Sequence, residues 1–214
     1  MKYKIYDLSI PIKSNMLKWP SDPDVKVEQL SFINKGDRAN FSKVDFGVHT
    51  GTHIDAPYHF YNQGLKIDEL SLYDLIGEVL VVETESPVIN KKFLKTIDLR
   101  RHKRVLFKTL NTGNRLLKKK KFSEDYVYIS KDGAKYLASK KVKLIGIDYL
   151  SIEEYKSKNA DAHKIITKNN IIIIETLDLS KIKPGEYLLI ALPVKIKNSD
   201  GAPARVVLIK FNND

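Results

Sequence analysis

Residues 49–59, which read HTGTHIDAPYH, are the stretch around which the chain is organised. Three of the five histidines and one aspartate lie within these eleven residues. A glycine, a proline and three β-branched residues disfavour a helix here, so an extended or looped backbone is expected. An extended backbone would place His53, Asp55, Pro57 and His59 on one side of the chain. We therefore predict that imidazole and carboxylate groups converge at this stretch.

A metal site is the interpretation that this clustering favours. Imidazole and carboxylate groups together suit zinc, manganese or iron, and ligands on a glycine-containing turn can close around an ion. The alternative is a polar loop whose histidines only hydrogen-bond to one another and to the backbone. A single histidine would favour that alternative, whereas three histidines in eleven residues favour the metal.

The absence of cysteine restricts the chemistry of any such site. Disulfides, thiolate zinc sites and cysteine nucleophiles are all excluded. Zinc, if it binds, must be held by nitrogen and oxygen ligands, which are more typical of catalytic sites than of structural ones.

Length and composition indicate one soluble globular domain over residues 1–214, with 43% hydrophobic and 29% charged residues. The first fifteen residues lack a continuous apolar stretch, so no secretory signal is expected. The longest purely aliphatic run, residues 171–174, is far too short to cross a bilayer. These observations predict a cytoplasmic protein that does not act at a membrane.

A formal net charge of +11 raises the hypothesis of nucleic-acid binding. The lysines are scattered, however, and the one dense run, Lys118–Lys121, lies in a polar stretch at 111–124 that is predicted to be a loop. That stretch contains no zinc-finger spacing, no pattern of stacking aromatic residues and no clear basic recognition helix. We therefore expect a solvated basic surface and no nucleic-acid partner.

Short segments with alternating or continuous hydrophobicity predict a mixed α/β fold without internal repeats or linkers. The strand at 41–48 is expected to lead directly into the histidine stretch and to anchor it in the sheet. Strands are predicted at 3–8, 25–32, 41–48, 78–83, 104–109, 126–129, 142–147, 171–174, 188–194 and 205–211. Helices are predicted at 71–75, 91–97, 130–140, 153–155 and from about 161 to 169.

A second stretch with chemical potential follows in the C-terminal half. His163 lies in the predicted helix, and Glu175 ends the strand formed by the four isoleucines at 171–174. A carboxylate at the end of so apolar a strand needs a partner, because burying an unpaired charge is very costly. A lysine, solvent or a metal would each serve. His163 by itself favours a histidine satisfied by ordinary hydrogen bonds.

Residues 49–59 also resemble the signature of the cyclase family, which includes bacterial kynurenine formamidase and isatin hydrolase. The family pattern His-x-Gly-Thr-His-x-Asp-x-Pro-x-His is matched at every fixed position. The resemblance extends over most of the chain, because four other stretches are also similar to the family: residues 7–11, Trp19-Pro20-Ser21-Asp22-Pro23, Gly146-Ile147-Asp148 and Gly201-Ala202-Pro203-Ala204-Arg205.

This resemblance implies a single α/β domain with a mixed β-sheet or barrel flanked by helices, of the swivelling β/β/α type. It also implies a site for two divalent metal ions, zinc in the first place and manganese as the alternative. His49, His53 and Asp55 would bind one ion and His163 the second, with Asp55 and Glu175 shared between them. His163 and Glu175 stand twelve residues apart, as in kynurenine formamidases.

The resemblance assigns two further roles that the residues alone leave open. His59 would transfer protons, although it could otherwise be another ligand or a hydrogen-bonding partner of one. Trp19 would contact an aromatic substrate, although a single tryptophan is equally expected as a rim anchor. His102 matches no position of the family pattern and is expected to be exposed.

The predicted function is therefore that of a metal-dependent hydrolase of an amide C–N bond. Its leading reaction is that of an arylformamidase, which converts N-formylkynurenine to kynurenine and formate. A hydrolase of isatin or of another cyclic amide or lactone is the alternative within the family, and a non-catalytic protein that binds metal or a small ligand is the alternative outside it. A Gly-x-Ser-x-Gly elbow and a phosphate-binding loop are absent from the sequence. By analogy with the family, a homodimer is expected.

Overall fold

The computed structural model describes residues 2–211, in which the chain forms twelve β-strands and five short α-helices. The strands are β1 Tyr3–Asp7, β2 Lys26–Ser31, β3 Phe41–Asp45, β4 His53–Asp55, β5 Ile76–Glu83, β6 Val88–Ile89, β7 Arg104–Lys108, β8 Tyr128–Ile129, β9 Leu144–Ile147, β10 Ile172–Glu175, β11 Gly185–Pro193 and β12 Gly201–Phe211. The helices are α1 Leu72–Leu75, α2 Lys91–Leu94, α3 Leu110–Gly113, α4 Lys131–Ser139 and α5 Asp161–Lys168.

Seven of the strands close into a mixed barrel. They follow the order β12, β11, β5, β7, β9, β10 and β4, and β4 then pairs with β12 to complete the circle. The neighbouring strands β5, β7, β9 and β10 pair in parallel. All pairings that involve β11, β12 or β4 are antiparallel. The prediction of an α/β fold with a mixed sheet or barrel flanked by helices is confirmed, and the structure shows that the sheet is a barrel.

The parallel strands are buried on both faces, which explains their almost continuous apolar sequences. Alternate side chains of each strand point to opposite sides. One set fills the barrel and the other packs against α2, α4 and α5. The inward-facing set includes Leu106, Leu144, Ile172 and Ile174. The set on the helix side includes Val105, Phe107, Ile145, Ile147 and Ile173.

The three residues of β4 are held between two longer strands. His53 lies opposite Glu175 of β10 on one side and opposite Pro203 of β12 on the other. Asp55 lies opposite Gly201 of β12. Strand pairing therefore brings Glu175 next to His53, although the two residues are far apart in sequence.

The predicted anchoring of the histidine stretch by the strand at 41–48 is wrong. β3 ends at Asp45 and pairs with β2 in a two-stranded hairpin that is separate from the barrel. The chain then turns, and the Thr50 N–H donates to the Gly47 carbonyl. Anchoring comes instead from the pairing of β4 with β10 and β12.

Two further local predictions are also wrong. Residues 153–155 form no helix, because the N–H of Glu153 donates to the Ser151 hydroxyl and its carboxylate turns toward His163. The predicted loop at 111–124 begins inside α3 and contains a 3₁₀ turn at Leu116–Lys118. The buried carboxylate of Asp148 starts this structure by accepting backbone N–H groups of α3 and of the residue before it.

His102 departs from its predicted exposure. Its side chain is 15% exposed, and its Nε2 lies 3.6 Å from a carboxylate oxygen of Glu186. It takes no part in the cluster formed by the other four histidines.

Between residues 2 and 211, no helix has the length and apolar character needed to cross a bilayer. The cytoplasmic location stays a prediction.

Replacement of Ile54 by alanine should destabilise the protein strongly, because Ile54 is the fully buried centre of β4 inside the barrel. A cost of roughly 2–5 kcal/mol is expected for such a truncation. Ile5→Ala is the matched control, since Ile5 is 55% exposed on β1, and should change the free energy of unfolding by no more than about 0.5 kcal/mol. Urea denaturation measures both, and equal effects would contradict the closure of the barrel by β4.

Candidate metal centre

Four histidines and two carboxylates meet at one end of the barrel, above β4 and β10. The structure brings together all six residues to which the sequence assigned metal-binding or proton-transfer roles: His49, His53, Asp55, His59, His163 and Glu175. Four of the six, all except His49 and His59, are at most 4% exposed. Beside them lies a pocket of about 340 Å³ that is also lined by Trp19.

Two imidazoles flank two carboxylates at the centre of this cluster. His53 Nε2 lies 3.3 Å from Asp55 Oδ1 and 3.5 Å from Glu175 Oε2. His163 Nε2 lies 3.4 Å from Glu175 Oε1 and 3.8 Å from Asp55 Oδ2. Each carboxylate therefore turns one oxygen toward each imidazole. This is the arrangement in which a carboxylate can be shared between two cations.

The other nitrogen of each central imidazole is fixed by a hydrogen bond. His53 Nδ1 lies 2.8 Å from the Gly51 carbonyl, which can only accept, so Nδ1 carries the proton and Nε2 faces the carboxylates. His163 Nδ1 lies 3.3 Å from Glu153 Oε2, and the same oxygen accepts the His163 backbone N–H at 3.0 Å. Both rings thus present Nε2 to the interior of the site.

Asp200 joins two histidines at the rim of the cluster. Its Oδ2 lies 2.7 Å from His49 Nε2 and 3.2 Å from His59 Nδ1. The centroids of the two imidazole rings are 4.0 Å apart. His49 Nδ1 meets Asp55 Oδ1 at 2.7 Å. Sequence reasoning missed Asp200. The available signal was its place directly before the family-like segment that begins at Gly201.

Gly201 is required for the approach of His49. A Cβ atom at this position would lie 2.6 Å from His49 Cε1 and 2.9 Å from the Ile54 carbonyl oxygen. Both distances are too short for any side chain, so only glycine lets β12 pass beneath the imidazole.

His59 reaches the site by a different route from the one predicted. Only His53 and Asp55 lie in the strand, and Pro57–His59 forms a 3₁₀ turn. Simple alternation along an extended chain is therefore wrong beyond Asp55. The next residue, Phe60, stacks on His163 with ring centroids 4.3 Å apart. Phe60 is a second residue of the site that sequence reasoning missed.

The central histidines hold protons at neutral pH. Burial lowers the pKa of His53, but hydrogen bonds to Asp55 and Glu175 outweigh burial and raise that pKa to about 10. Burial is likewise outweighed at His163 by hydrogen bonds to Glu153 and Glu175, which raise its pKa to about 9. Burial would raise the pKa of Asp55 and of Glu175, yet the neighbouring histidines hold both pKa values below their usual range. The buried charges therefore compensate one another.

His49 and Asp200, at the rim, stabilise each other's charge in the same way. At His49, burial is outweighed by the charge of Asp55 and by the hydrogen bond to Asp200, and the pKa rises to about 9. Hydrogen bonds from His49 and His59 hold the pKa of Asp200 far below its usual range. Asp22, which lines the same pocket, has its pKa raised by burial.

The donor set suits a divalent metal of borderline or hard character. Two overlapping groups have ligand atoms that all lie within 4.8 Å of one another: His53 with Asp55 and Glu175, and His49 with Asp55 and His59. Imidazole nitrogen and carboxylate oxygen are the ligands that zinc and manganese take in proteins. His59 belongs to the second group, so the geometry is compatible with a role as a metal ligand and with a role as a proton carrier.

Trp19 lies in an aromatic cluster at the edge of the pocket. Its ring meets Phe122 and Tyr155 edge to face, with centroid distances of 5.1 Å and 5.5 Å. Tyr155 and Trp19 both line the pocket that holds the histidines. The loop that carries Trp19 is thereby fixed beside the candidate metal ligands.

Comparison with known proteins identifies the family. The family model described as Putative cyclase matches residues 6–154, more than half of the chain. Cyclase-like protein 3 of Arabidopsis thaliana is 38% identical over 216 residues, covering 97% of this chain and 80% of that protein. Kynurenine formamidase of Bacillus cereus (strain ATCC 10987 / NRS 248) is 32% identical over 203 residues, covering 94% of this chain and 95% of that protein. The chain therefore belongs to the Putative cyclase family.

A solved structure agrees with this membership. A protein described as a potential metal-dependent hydrolase with cyclase activity superposes with a TM-score of 0.85 at 31% identity. The match covers 99% of this chain and 100% of that one. The two proteins therefore share the same fold along almost their whole length.

Metal affinity should rise steeply between pH 6 and pH 9. The pKa values of His49, His53 and His163 are raised to about 9 or 10, so these rings are protonated at pH 7 and must lose protons to coordinate a cation. Each displaced proton should increase the affinity about tenfold per pH unit in this window. Competition of zinc between the protein and a chelating dye measures this slope. His102→Gln should keep it, and a pH-independent affinity would contradict the protonated cluster.

Proposed function

We propose that the chain is a metal-dependent hydrolase of an amide C–N bond, with N-formylkynurenine as the leading substrate and kynurenine and formate as products. The observation that carries the proposal is the buried set of two imidazoles and two carboxylates beside a small pocket lined by aromatic residues. A relative that is 32% identical and named kynurenine formamidase supports the choice of reaction.

The proposed ligands are those that the resemblance to the family implies. His49, His53 and Asp55 would hold one divalent cation and His163 a second, with Asp55 and Glu175 shared. The orientation of both central Nε2 atoms toward the carboxylates supports this division. A cation held there would lower the pKa of a bound water from about 15.7 toward about 7 and would polarise a carbonyl group. Zinc is proposed first and manganese second.

His59 is proposed as the group that moves protons. Asp200 lies 3.2 Å from His59 Nδ1, so Nδ1 can carry the proton and leave Nε2 as the basic nitrogen. His59 would accept a proton as water attacks the amide carbonyl and would return it to the leaving nitrogen as the C–N bond breaks. The reaction balances, because the hydroxyl group of water joins the acyl carbon of the released acid and its remaining hydrogen joins the nitrogen of the released amine.

The pocket supports a small aromatic substrate. Its volume of about 340 Å³ lies at the lower end of the range for small-molecule sites. Trp19 at its edge offers a ring that its contacts with Phe122 and Tyr155 hold in place, and a rigid aromatic surface favours stacking with a planar ligand. We propose Trp19 as the residue that stacks on the aromatic ring of the substrate.

A cyclic amide such as isatin would undergo the same steps, with the ring opening in place of the release of formate. The same pocket and the same family signature make this the second candidate. We also propose that the protein works as a homodimer, as the family resemblance implies.

An assay on N-formylkynurenine and isatin separates the candidates. We expect zinc- or manganese-loaded protein to release formate from N-formylkynurenine, to lose this activity in a chelator and to regain it when metal is restored. Opening of isatin alone would assign the protein to cyclic-amide hydrolysis. Tight metal binding without cleavage of either compound would contradict the enzyme and support a binding protein. Elemental analysis of the same sample identifies the ion.

His59→Gln tests the proton-transfer role. Glutamine keeps a hydrogen-bonding group but cannot exchange a proton near neutral pH, so kcat should fall by about 10² to 10⁴. The metal content should stay unchanged, because the proposed ligands remain. His102→Gln is the matched control, because His102 lies outside the cluster, and it should keep full activity. Loss of metal in His59→Gln would reassign His59 as a ligand.

A further inference from the structure

A second and larger cavity lies beyond the carboxyl ends of β5 and β7. Its volume is about 1070 Å³, and it shares none of its lining residues with the pocket of the candidate metal centre. Glu83 and Lys108, the last residues of these two parallel strands, stand opposite each other on its wall. In α/β proteins, ligands commonly bind beyond the carboxyl ends of parallel strands. The cavity therefore lies where a ligand site is expected, and the proposed reaction does not use it.

The cavity is lined by an excess of positive charge. Six basic and three acidic side chains border it. Five of the basic residues are exposed and form what we call the basic edge: Lys13, Arg115 and Lys118–Lys120. Within residues 2–211, no carboxylate lies within ion-pair distance of these five cations. Their charge is therefore open to a ligand.

The sixth cation, Lys108, is already satisfied and belongs to the wall. Its Nζ lies 2.9 Å from Glu83 Oε1 and donates to the Ile182 carbonyl at 2.9 Å, and its side chain is only 15% exposed. This ion pair neutralises one of the three acidic residues. The charge that a ligand would meet is therefore set by the basic edge.

The wall next to the basic edge is held in place by the buried carboxylate of Asp148. This carboxylate accepts the backbone N–H of Thr109 at 2.8 Å and that of Thr112 at 3.1 Å. It also accepts the Thr109 hydroxyl at 2.7 Å. Helix α3, which precedes most of the basic edge, is thereby fixed. A preorganised wall lowers the entropy that ligand binding costs.

Two residues that line the cavity have a backbone conformation that is uncommon outside glycine. The φ angle is 60° at Asn15 and 52° at Arg115. Asparagine tolerates this left-handed region through its short polar side chain, whereas arginine adopts it at a cost. At Arg115 this conformation leads directly into the 3₁₀ turn Leu116–Lys118. Backbone strain of this kind clusters at ligand-binding sites.

We propose that this cavity binds a phosphorylated small molecule of nucleotide size. Several unpaired cations around one volume suit a ligand with several negative charges. Arginine can contact phosphoryl oxygens through two N–H groups at once, and lysines act as point charges. The apolar side chains of Ile10, Leu110 and Leu117 line the same cavity and can contact the uncharged part of the ligand. The volume is at the upper end of the range for small-molecule sites.

Calorimetric titration of the purified full chain with pyrophosphate and with adenosine triphosphate, without added metal, tests the proposal. The wild type should bind both, and the nucleotide more tightly because its base reaches the apolar wall. K118Q/K119Q/K120Q removes three charges at exposed positions, so the fold should be kept. Loss of charged hydrogen bonds to the phosphoryl groups should weaken binding by a factor of about ten or more.

The matched control is K135Q/K164Q/K168Q, which removes three charges at exposed positions of α4 and α5. Its affinity should change by about twofold or less, because salt at about 0.15 M screens charges beyond about 8 Å. Equal weakening of both variants would overturn the proposal, since the anion would then sense only net charge. A wild-type Kd weaker than about 1 mM would also overturn it. So would unchanged binding in the cavity variant, which would place the anion elsewhere, for example at the protonated histidines.

Gly113 permits a second test at nearly constant side-chain size. It lines the cavity, and a Cβ atom added there would meet no heavy atom within 4 Å. Gly113→Glu and Gly113→Lys therefore place opposite charges at one point of the wall without a clash. Nucleotide affinity should fall about fivefold in the first variant and be kept or raised in the second. Equal affinities of these two variants would overturn the proposal. The titrations involve no hydrolysis of an amide, so their outcome does not depend on the proposed function.

Discussion

The pairing of the three-residue strand β4 with β10 on one side and β12 on the other is the constraint on which the rest of the structure depends. It closes the barrel, and it carries His53 and Asp55, which belong to the centre of the candidate site. The same pairing places Glu175 opposite His53. Ladder hydrogen bonds and the burial of Ile54 hold these side chains more rigidly than a free loop would. The pairing that closes the barrel thus also brings His53 and Asp55 together with Glu175.

Assembly of the site removes ionised groups from water, which costs free energy. Two carboxylates and two imidazoles, each at most 4% exposed, can stay charged only because each sign faces the other. Hydrogen bonds to the Gly51 carbonyl and to the Glu153 carboxylate then determine which nitrogen of His53 and of His163 turns inward. The fold and these hydrogen bonds therefore fix the orientation of the polar cluster, which is the preorganisation that catalytic and metal sites need.

The α/β class and the polar cluster at 49–59 could be predicted because their signals are local, whereas the convergence of His163 and Glu175 with that cluster was implied only by the resemblance to the family. Four isoleucines before Glu175 describe a buried strand, and the histidine density at 49–59 describes a polar site. Which strand anchors that site is a matter of long-range register, so the strand ending at Asp45 was assigned wrongly. Asp200 was missed for the same reason, because its role in the site depends on its position between His49 and His59 in space. The exposure of the hairpin formed by β2 and β3 could not be predicted either, because similar alternating patterns occur in buried strands and in exposed hairpins.

Asp55 has a place in both groups of candidate ligands, once with His53 and Glu175 and once with His49 and His59. Two cations that draw on one carboxylate cannot load independently. If two ions bind as proposed, the first would fix the orientation of the shared group and change its charge, so the second would meet an altered affinity, and by linkage the effect would be equal in both directions. Partial loading would then give cooperative or anticooperative occupancy, and the metal supply of the cell would set the ratio of singly to doubly loaded molecules.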